Sequence, residues 1–548
     1  MKQVSKVAGD PLQVIFQYHQ ATKHRPESYA KGPGYMDWAT QPSPFRRYEG
    51  ARLVSLERIV PTEKPWYDDV FVQGRLQTAS VSARSISQLF YDSLAISAWK
   101  SAGDTSWSLR VNPSSGNLHP TEGYLISGPV EGLCNVPAVY HYAPKEHGLE
   151  VRAEFSAGLW SELCEKLPLG TFFVGLTSIP WREAWKYGQR AFRYCQHDVG
   201  HAVGAISIAA AGLGWRTTVL DDIAADELEA LMGTGGDDDA EREEPDVMIA
   251  VVPSVTESKE SGLQRDLILK FASLDWHGTP NQLSPSHVDW GVDEALVATR
   301  KPCITGQYEP FSDPMSVSPG GDVRQISLRK MIRRRRSAVA MDGKTRIRRE
   351  IFFGILQKTL VRSGAAPFGT LPWKPHVHLA VFVHRIDDLP MGLYFLIRDR
   401  SQITALQDAI GPSFQWRRPD GCPDGLDLYC LIETDTRNAA RQISCFQDIA
   451  SDGCFSIGMI AEFEEPLRRY GPWFYPRLYW EAGVIGQVLY LEAEVQGIRS
   501  TGIGCYFDDQ MHDVLGLKDR GYQDLYHFTI GGPVEDTRLR TLPSYPDS

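Results

Sequence analysis

A chain of 548 residues that is 42% hydrophobic and 11% aromatic carries enough apolar surface for roughly two to four folded domains, which excludes a disordered or fibrous protein. Its formal net charge of −11 argues against a nucleic-acid-binding surface as its main business. The scattered cysteines have no C-x-x-C spacing and fit a reducing compartment better than a disulfide framework. Met1–Ser5 lacks the apolar core of a signal peptide. The most apolar helical stretch, Val199 to Leu213, is too short to span a bilayer and is interrupted by His201. These features predict a cytoplasmic protein with neither nucleic acid nor membrane as partner.

Residues 1–75 read as a polar and aromatic arm wrapped over a folded body, because Pro and Gly recur and no helical period persists. Within it, Thr22-Lys23-His24 has poor metal-ligand spacing and is read as a packing or surface feature. Residues 76–253 form a first domain. Ser85 to Ala102 reads as a helix, and Tyr124–Ser127, Val139–Tyr142 and Phe172–Leu176 read as strands. Ala184 to Gly214 reads as a long helical region and Asp246–Val252 as a final strand before Pro253. The acidic run from Gly235 to Glu244 reads as a solvated surface loop. Residues 254–324 are an ordered connector, too aromatic (Phe271, Trp276, Trp290) for a free linker.

Within the first domain, Arg110 to Pro120 stands out. Pro113, Ser114, Ser115, Gly116 and Asn117 offer two hydroxyls, an amide and close backbone approach, which suits a polar planar ligand or an anion. Alone, the same residues also read as a capped, Pro-rich turn.

Residues 325–548 read as a diverged second copy of the first domain. Ala83–Ile86 faces Arg335–Ala338, Pro113–Leu118 faces Ala366–Leu371, and Tyr187-Gly188 faces Tyr470-Gly471. At a constant offset from there, Asp198 faces Glu481, Gly200 faces Gly483 and Gly214 faces Gly497. The second copy carries an insertion, expected between Arg398 and Phe455. The copies have kept different chemistry. Hydroxyls and an amide survive at Pro113–Asn117, against Ala366–Thr370. Basic residues survive at Arg333–Ser337, and glycines at Thr501–Asp508, against the shorter Thr218–Asp221. Complementary loss is what one intact site shared across an internal dimer interface would leave, its mirror image having decayed. Drift with both sites lost is the opposing reading.

Arg335-Arg336-Ser337, Pro113-Ser-Ser-Gly-Asn117 and Gly502-Ile503-Gly504 resemble the flavin-binding segments of nitroreductase-fold flavoproteins. The whole chain resembles a tandem member of the SagB/ThcOx-type dehydrogenase group within them. The resemblance implies an α+β fold: two tandem nitroreductase-like, FMN-binding domains forming an intramolecular pseudo-dimer, with possible further homodimerisation. It implies that Arg335, Arg336 and Ser337 hold an FMN phosphate, with Arg538 a further candidate. Gly502, Ile503 and Gly504 would approach the isoalloxazine edge, and Pro113, Ser114, Ser115 and Asn117 would hold the flavin from across the interface. Val339 stands where relatives often carry a basic residue. Lys186-Tyr187 resembles the Lys-Tyr pair that thiazoline-oxidising relatives use to remove a proton. A desolvated Lys, or a Tyr made more acidic by it, suits that task, whereas Arg469 of the second copy cannot act as a base. Asp198 and His201, three apart, are read as a polar pair rather than a metal site.

The expectation is an FMN-dependent dehydrogenase or oxidase of a small-molecule or peptide-derived substrate, with O2 or another oxidant as acceptor. No G-x-G-x-x-G follows a strand, so no Rossmann site is implied. An NAD(P)H-dependent reductase of nitro, quinone or enone compounds is the alternative enzyme. A flavin-free scaffold is the alternative from outside enzymology.

Overall fold

The computed structural model describes residues 9–235, 240–253, 263–303, 308, 325–362 and 364–545. Met1–Ser5, positions 236–239 of the acidic run and parts of the 254–324 connector lie outside the described residues. The runs expected to be strands, Tyr124–Ser127, Val139–Tyr142, Phe172–Leu176 and Asp246–Val252, lie in the strands Thr121–Ser127, Ala138–Ala143, Phe172–Ser178 and Glu244–Val252, and Val377–Val383 and Phe455–Glu462 of the second half are likewise strands buried along their whole length.

They belong to two antiparallel sheets. The first runs Leu53–Ser55, Gly148–Glu154, Ala138–Ala143, Thr121–Ser127, Phe172–Ser178, Glu244–Val252, Arg216–Val219. The second runs Leu428–Glu433, Gly392–Leu396, Val377–Val383, Phe455–Glu462, Tyr522–Gly531, Arg499–Ile503. Setting aside the edge strand Leu53–Ser55, the strands of each sheet, numbered along the chain, follow the same spatial order: third, second, first, fourth, sixth, fifth.

A long helix accompanies each sheet, Ala191–Ala211 in the first half and Tyr475–Val495 in the second. Both are buried on nearly all sides, and their buried polar side chains, such as Arg193 and Asp198, are met by partners on other elements. They pack on each other and cross at Gly200 and Gly483, where a Cβ on either would collide with the other helix's backbone. Each is preceded by a short helix, Pro180–Tyr187 or Glu464–Tyr470, that stops at a positive-φ glycine, Gly188 (φ 55°) or Gly471 (φ 110°). So the helical region expected from Ala184 to Gly214 is two helices with a break.

Two further expectations are corrected. Ser85 to Ala102 is not one helix: the helix Ala83–Tyr91 ends at Asp92, and Ile96–Ala102 is a strand paired with Thr105–Arg110 and with Arg540–Leu542. The strand partners, one of them more than four hundred residues away, override the local helical pattern. The arm does contain a helix, Pro11–Ala21, started by the Asp10 carboxylate accepting from Leu12 N–H and by Pro11 in its first turn, the position where a missing N–H costs nothing. It buries Ile15, Phe16 and His19.

Thr22, Lys23 and His24 are buried in a packing role. Lys23 Nζ donates to Asp509 Oδ1 at 2.7 Å, and His24 N–H to Asp508 Oδ2 at 3.0 Å. Asp508 also receives Arg190 Nη1 at 3.0 Å and Arg193 Nη2 at 2.7 Å. One buried carboxylate of the second half thus joins the arm to the first half, and its two arginines hold its pKa far below the usual range against the opposing effect of burial. Among the described residues, no helix is long and apolar enough to cross a membrane.

Candidate functional site

The strand Thr105–Arg110 delivers the chain to a tight turn at Ser115–Asn117. Gly116 (φ 58°), Asn117 (φ 61°) and His119 (φ 52°) are all left-handed, a conformation costly for residues other than Gly and held only by surrounding bonds. Those bonds are present. Ser114 Oγ accepts His119 N–H at 2.8 Å, Asn117 Nδ2 donates to Ser108 O at 2.9 Å, and Asn117 Oδ1 lies 3.0 Å from His119 Nε2. Asp198, on the first long helix, accepts both the N–H and the hydroxyl of Ser115 at 3.0 Å. The Asn117 amide therefore shapes the loop.

The basic segment arrives from the second half. The helix Leu328–Arg334 ends at Arg335, whose guanidinium is buried against the first half. Nε donates to Val111 O at 3.3 Å, Nη2 donates to Arg110 O at 3.2 Å, and the Tyr490 ring lies 4.8 Å from the guanidinium carbon. Among the described residues, Arg335 Nη1 is buried without a hydrogen-bond partner. Arg336 donates Nη1 to Arg335 O at 2.6 Å, and burial beside Arg335 and Arg333 lowers its pKa to about 10. Ser337 Oγ lies 2.9 Å from Tyr490 OH, and Gly502 N–H donates to that hydroxyl at 3.0 Å. Tyr490 thus joins two expected site segments.

Gly502 and Gly504 are glycines because aromatic side chains crowd them: a Cβ would collide with the Tyr526 hydroxyl at Gly502 and with the Tyr194 ring at Gly504.

These segments enclose a cavity of about 480 Å³ lined from both halves, within the size range of small-molecule and cofactor sites. Of the expected residues, Pro113, Ser114, Ser115, Asn117, Tyr187, Arg335, Arg336, Ser337, Gly502, Ile503 and Gly504 line it. Lys186 is not in the wall but is adjacent: a Cβ on Gly116 would stand 3.1 Å from Lys186 Nζ and 2.5 Å from Tyr187 OH. Arg538 is not brought in. Its side chain is exposed and donates to Asp536 at 2.9 and 2.8 Å. Among the described residues, Asn112 Oδ1 and His119 Nδ1, also from wall residues, are buried without partners like Arg335 Nη1, the condition a polar ligand relieves.

Asp198 and His201 do not form the expected pair. Asp198 serves Ser115, while His201 Nε2 lies 3.2 Å from Tyr526 OH. One helix turn places the two side chains side by side, but each finds its partner on another element. Burial raises Asp198 to about 7, and the Ser114 and Ser115 hydrogen bonds only partly oppose it. Glu183, neither of whose carboxylate oxygens is hydrogen-bonded among the described residues, is pushed well up by burial and then by Asp198. Burial and then Glu183 also push Tyr187 well above the usual phenol range. Its surroundings make Tyr187 hold its proton more tightly, the reverse of the acidification expected from Lys186.

Sequence reasoning missed Tyr490, Tyr194, Tyr526 and Gln447, all in the cavity wall. For Tyr490 a signal existed: the offset that pairs Gly200 with Gly483 pairs it with Ser207. At that second position Ser207, Thr217 and Thr370 bond to one another, with oxygen separations of 2.6, 2.6 and 3.0 Å. The adjoining cavity, bounded by Ala366, Gly369 and Thr370, is only about 230 Å³.

Neither the protein-family models nor the curated proteins contain a match to this chain. Among solved structures, a protein named for the nitroreductases from Anabaena variabilis ATCC 29413 superposes with a TM-score of 0.68 at 20% identity, over 95% of this chain and 99% of that one. The Escherichia coli microcin synthetase McbBCD complex (TM-score 0.28, 19% identity, 46% of this chain and 98% of that one) and an FMN-dependent nitroreductase from Clostridium difficile R20291 (TM-score 0.19, 13% identity, 37% and 86%) are too distant in shape to carry an argument. The expected fold class is borne out at this level: the chain has a nitroreductase-like α+β fold.

Proposed function

We propose that the chain is an FMN-dependent oxidoreductase, a tandem dehydrogenase or oxidase of the SagB/ThcOx type. Its halves form a pseudo-dimer with one working flavin site. The observation that carries this reading is Arg335: a buried guanidinium with a free Nη1 in a cavity walled by both halves. Among the described residues Arg335 makes no ion pair, the Glu494 oxygens being taken by Arg334 Nε and Arg336 N–H; a buried cation so placed is costly, and an anionic ligand group offsets that cost. Arg335, Arg336 and Ser337 would hold the FMN phosphate, with the segments at Pro113–Asn117 and Gly502–Gly504 enclosing the rest. Arg538 lies outside this set.

Bound flavin would supply two-electron acceptance from a substrate C–H bond. The protein's part is to shape the cavity, exclude water and take the proton. Lys186 Nζ, beside Gly116, is the base in this reading. Tyr187 retains its proton and orients by hydrogen bonding, and Asp198 keeps the Ser115 turn in place. The Ser207–Thr217–Thr370 contacts support the reading that the mirror site has closed. The substrate is a small or peptide-derived molecule, and the acceptor is O2 or another oxidant.

Purified protein is expected to be yellow, with the absorption of oxidised flavin, and to keep that colour when mixed anaerobically with NAD(P)H. A colourless protein that takes up no FMN contradicts the reading. Rapid anaerobic bleaching moves the assignment to a reductase of nitro, quinone or enone compounds.

A further inference from the structure

Cys505 lines the cavity one residue beyond Gly504, and its sulfur lies 2.8 Å from that of Cys445. Both side chains are partly accessible. Their loops are fastened on either side of the sulfurs: Phe507 N–H donates to Ile443 O at 2.7 Å, and Gln447 Nε2 donates to Cys505 O at 3.0 Å and to Ser444 O at 2.8 Å. Cys445 (φ 53°) and Phe446 (φ 59°) are consecutive left-handed residues, neither of them glycine. Backbone held in this way is strained, and such strain clusters at functional positions. Here it places Cys445 against Cys505. A shift of about 0.75 Å would bring the sulfurs to bonding distance, about 2.05 Å.

We propose that Cys445 and Cys505 form a reversible dithiol–disulfide site in the cavity wall, closed by exchange with a low-molecular-weight disulfide. Cys505 is the attacking thiol. The hydrogen bond with Cys445 lowers its pKa against the effect of burial, and the Arg190 guanidinium lowers it further. Cys445, pushed up in turn by Cys505, is the resolving thiol. The Cys505 thiolate attacks the small disulfide, forms a mixed disulfide and expels one thiolate. Cys445 then gives up its proton, attacks the Cys505 sulfur and expels the second thiolate. The protein loses two electrons and two protons, and the small disulfide gains them as two thiols. Scattered, unpatterned cysteines gave no sequence signal for this pair, which assembles from loops about sixty residues apart.

The test uses the full chain, equilibrated with mixtures of oxidised and reduced glutathione, alkylated with N-ethylmaleimide and mapped by peptide mass spectrometry. It requires neither bound flavin nor turnover, so it stands or falls apart from the proposed activity. The expected result is joint loss of alkylation at Cys445 and Cys505, with a linked peptide pair that dithiothreitol dissolves. Cys445→Ser is expected to accumulate a glutathione adduct on Cys505 at least tenfold above wild type. Independent alkylation of the two cysteines at every mixture overturns the proposal. So does a wild-type protein that stops at the mixed disulfide, a result that requires no variant to fold.

Discussion

Gly200 and Gly483 meet backbone to backbone where the two long helices cross, and each is the other's counterpart in the alignment of the two halves. No side chain fits between them, so the crossing sets how closely the halves approach and the width of the cavity they share.

Replacing either glycine with alanine forces these backbones apart. Gly200→Ala and Gly483→Ala are each expected to destabilise the chain by about 1–3 kcal/mol through overpacking, read as a lower urea midpoint. Gly354, whose Cβ would meet nothing within 4 Å, is the control expected to tolerate alanine.

Binding is expected to follow the asymmetry between the two positions. Arg335→Ala and Ser337→Ala are expected to weaken FMN binding. The arginine is expected to cost roughly ten- to a hundredfold, corresponding to one charge-assisted contact of about 1.5–3 kcal/mol. Asn117→Ala is expected to weaken it by loosening the loop. Thr370→Ala and Ser85→Ala are expected to leave affinity unchanged in a fluorescence titration, because both lie outside the larger cavity. Equal losses at Thr370 and Ser337 contradict the assignment.

Lys186→Ala is expected to leave FMN bound while slowing substrate oxidation about 10²- to 10⁴-fold, the range for loss of a general base. Single-turnover kinetics measures this directly, and an unchanged rate removes Lys186 from proton transfer.

The buried Asp198 gives stability a pH signature. Its folded pKa, about 7, lies above its ordinary value of 3.8. The folded state therefore binds the extra proton, and this stabilisation is complete below pH 4 and is lost as pH rises towards 7. The slope approaches about 1.4 kcal/mol per pH unit within that window. Asp198→Asn cannot titrate, so its urea midpoint is expected to vary less than wild type between pH 5 and 7. Parallel curves contradict the assignment.

The parts legible in the sequence were those whose chemistry is local. Pro113–Asn117, Arg335–Ser337 and Gly502–Gly504 announce themselves by residue type, and the constant offset between the halves aligned Gly200 with Gly483. What was not legible depends on contacts between distant segments. Ile96–Ala102 carries a helix-like pattern until its strand partners are known. Asp198 looks paired with His201 until Ser115 is seen to occupy its carboxylate. Arg538 resembles a phosphate ligand by type and position, but Asp536, two residues away, engages its guanidinium at the surface. Cys445 and Cys505 meet only because the strained loop at Cys445–Phe446 is fastened to the loop that carries Cys505.

The central claim is that one cofactor binds where the two halves meet, and stoichiometry tests it most directly. FMN released by denaturation from fully loaded protein, divided by chain concentration from amino-acid analysis, is predicted to be close to one per chain. Two per chain would mean that the smaller cavity at Thr370 also works, and a value near zero after reconstitution would mean that the cavity is not a flavin site.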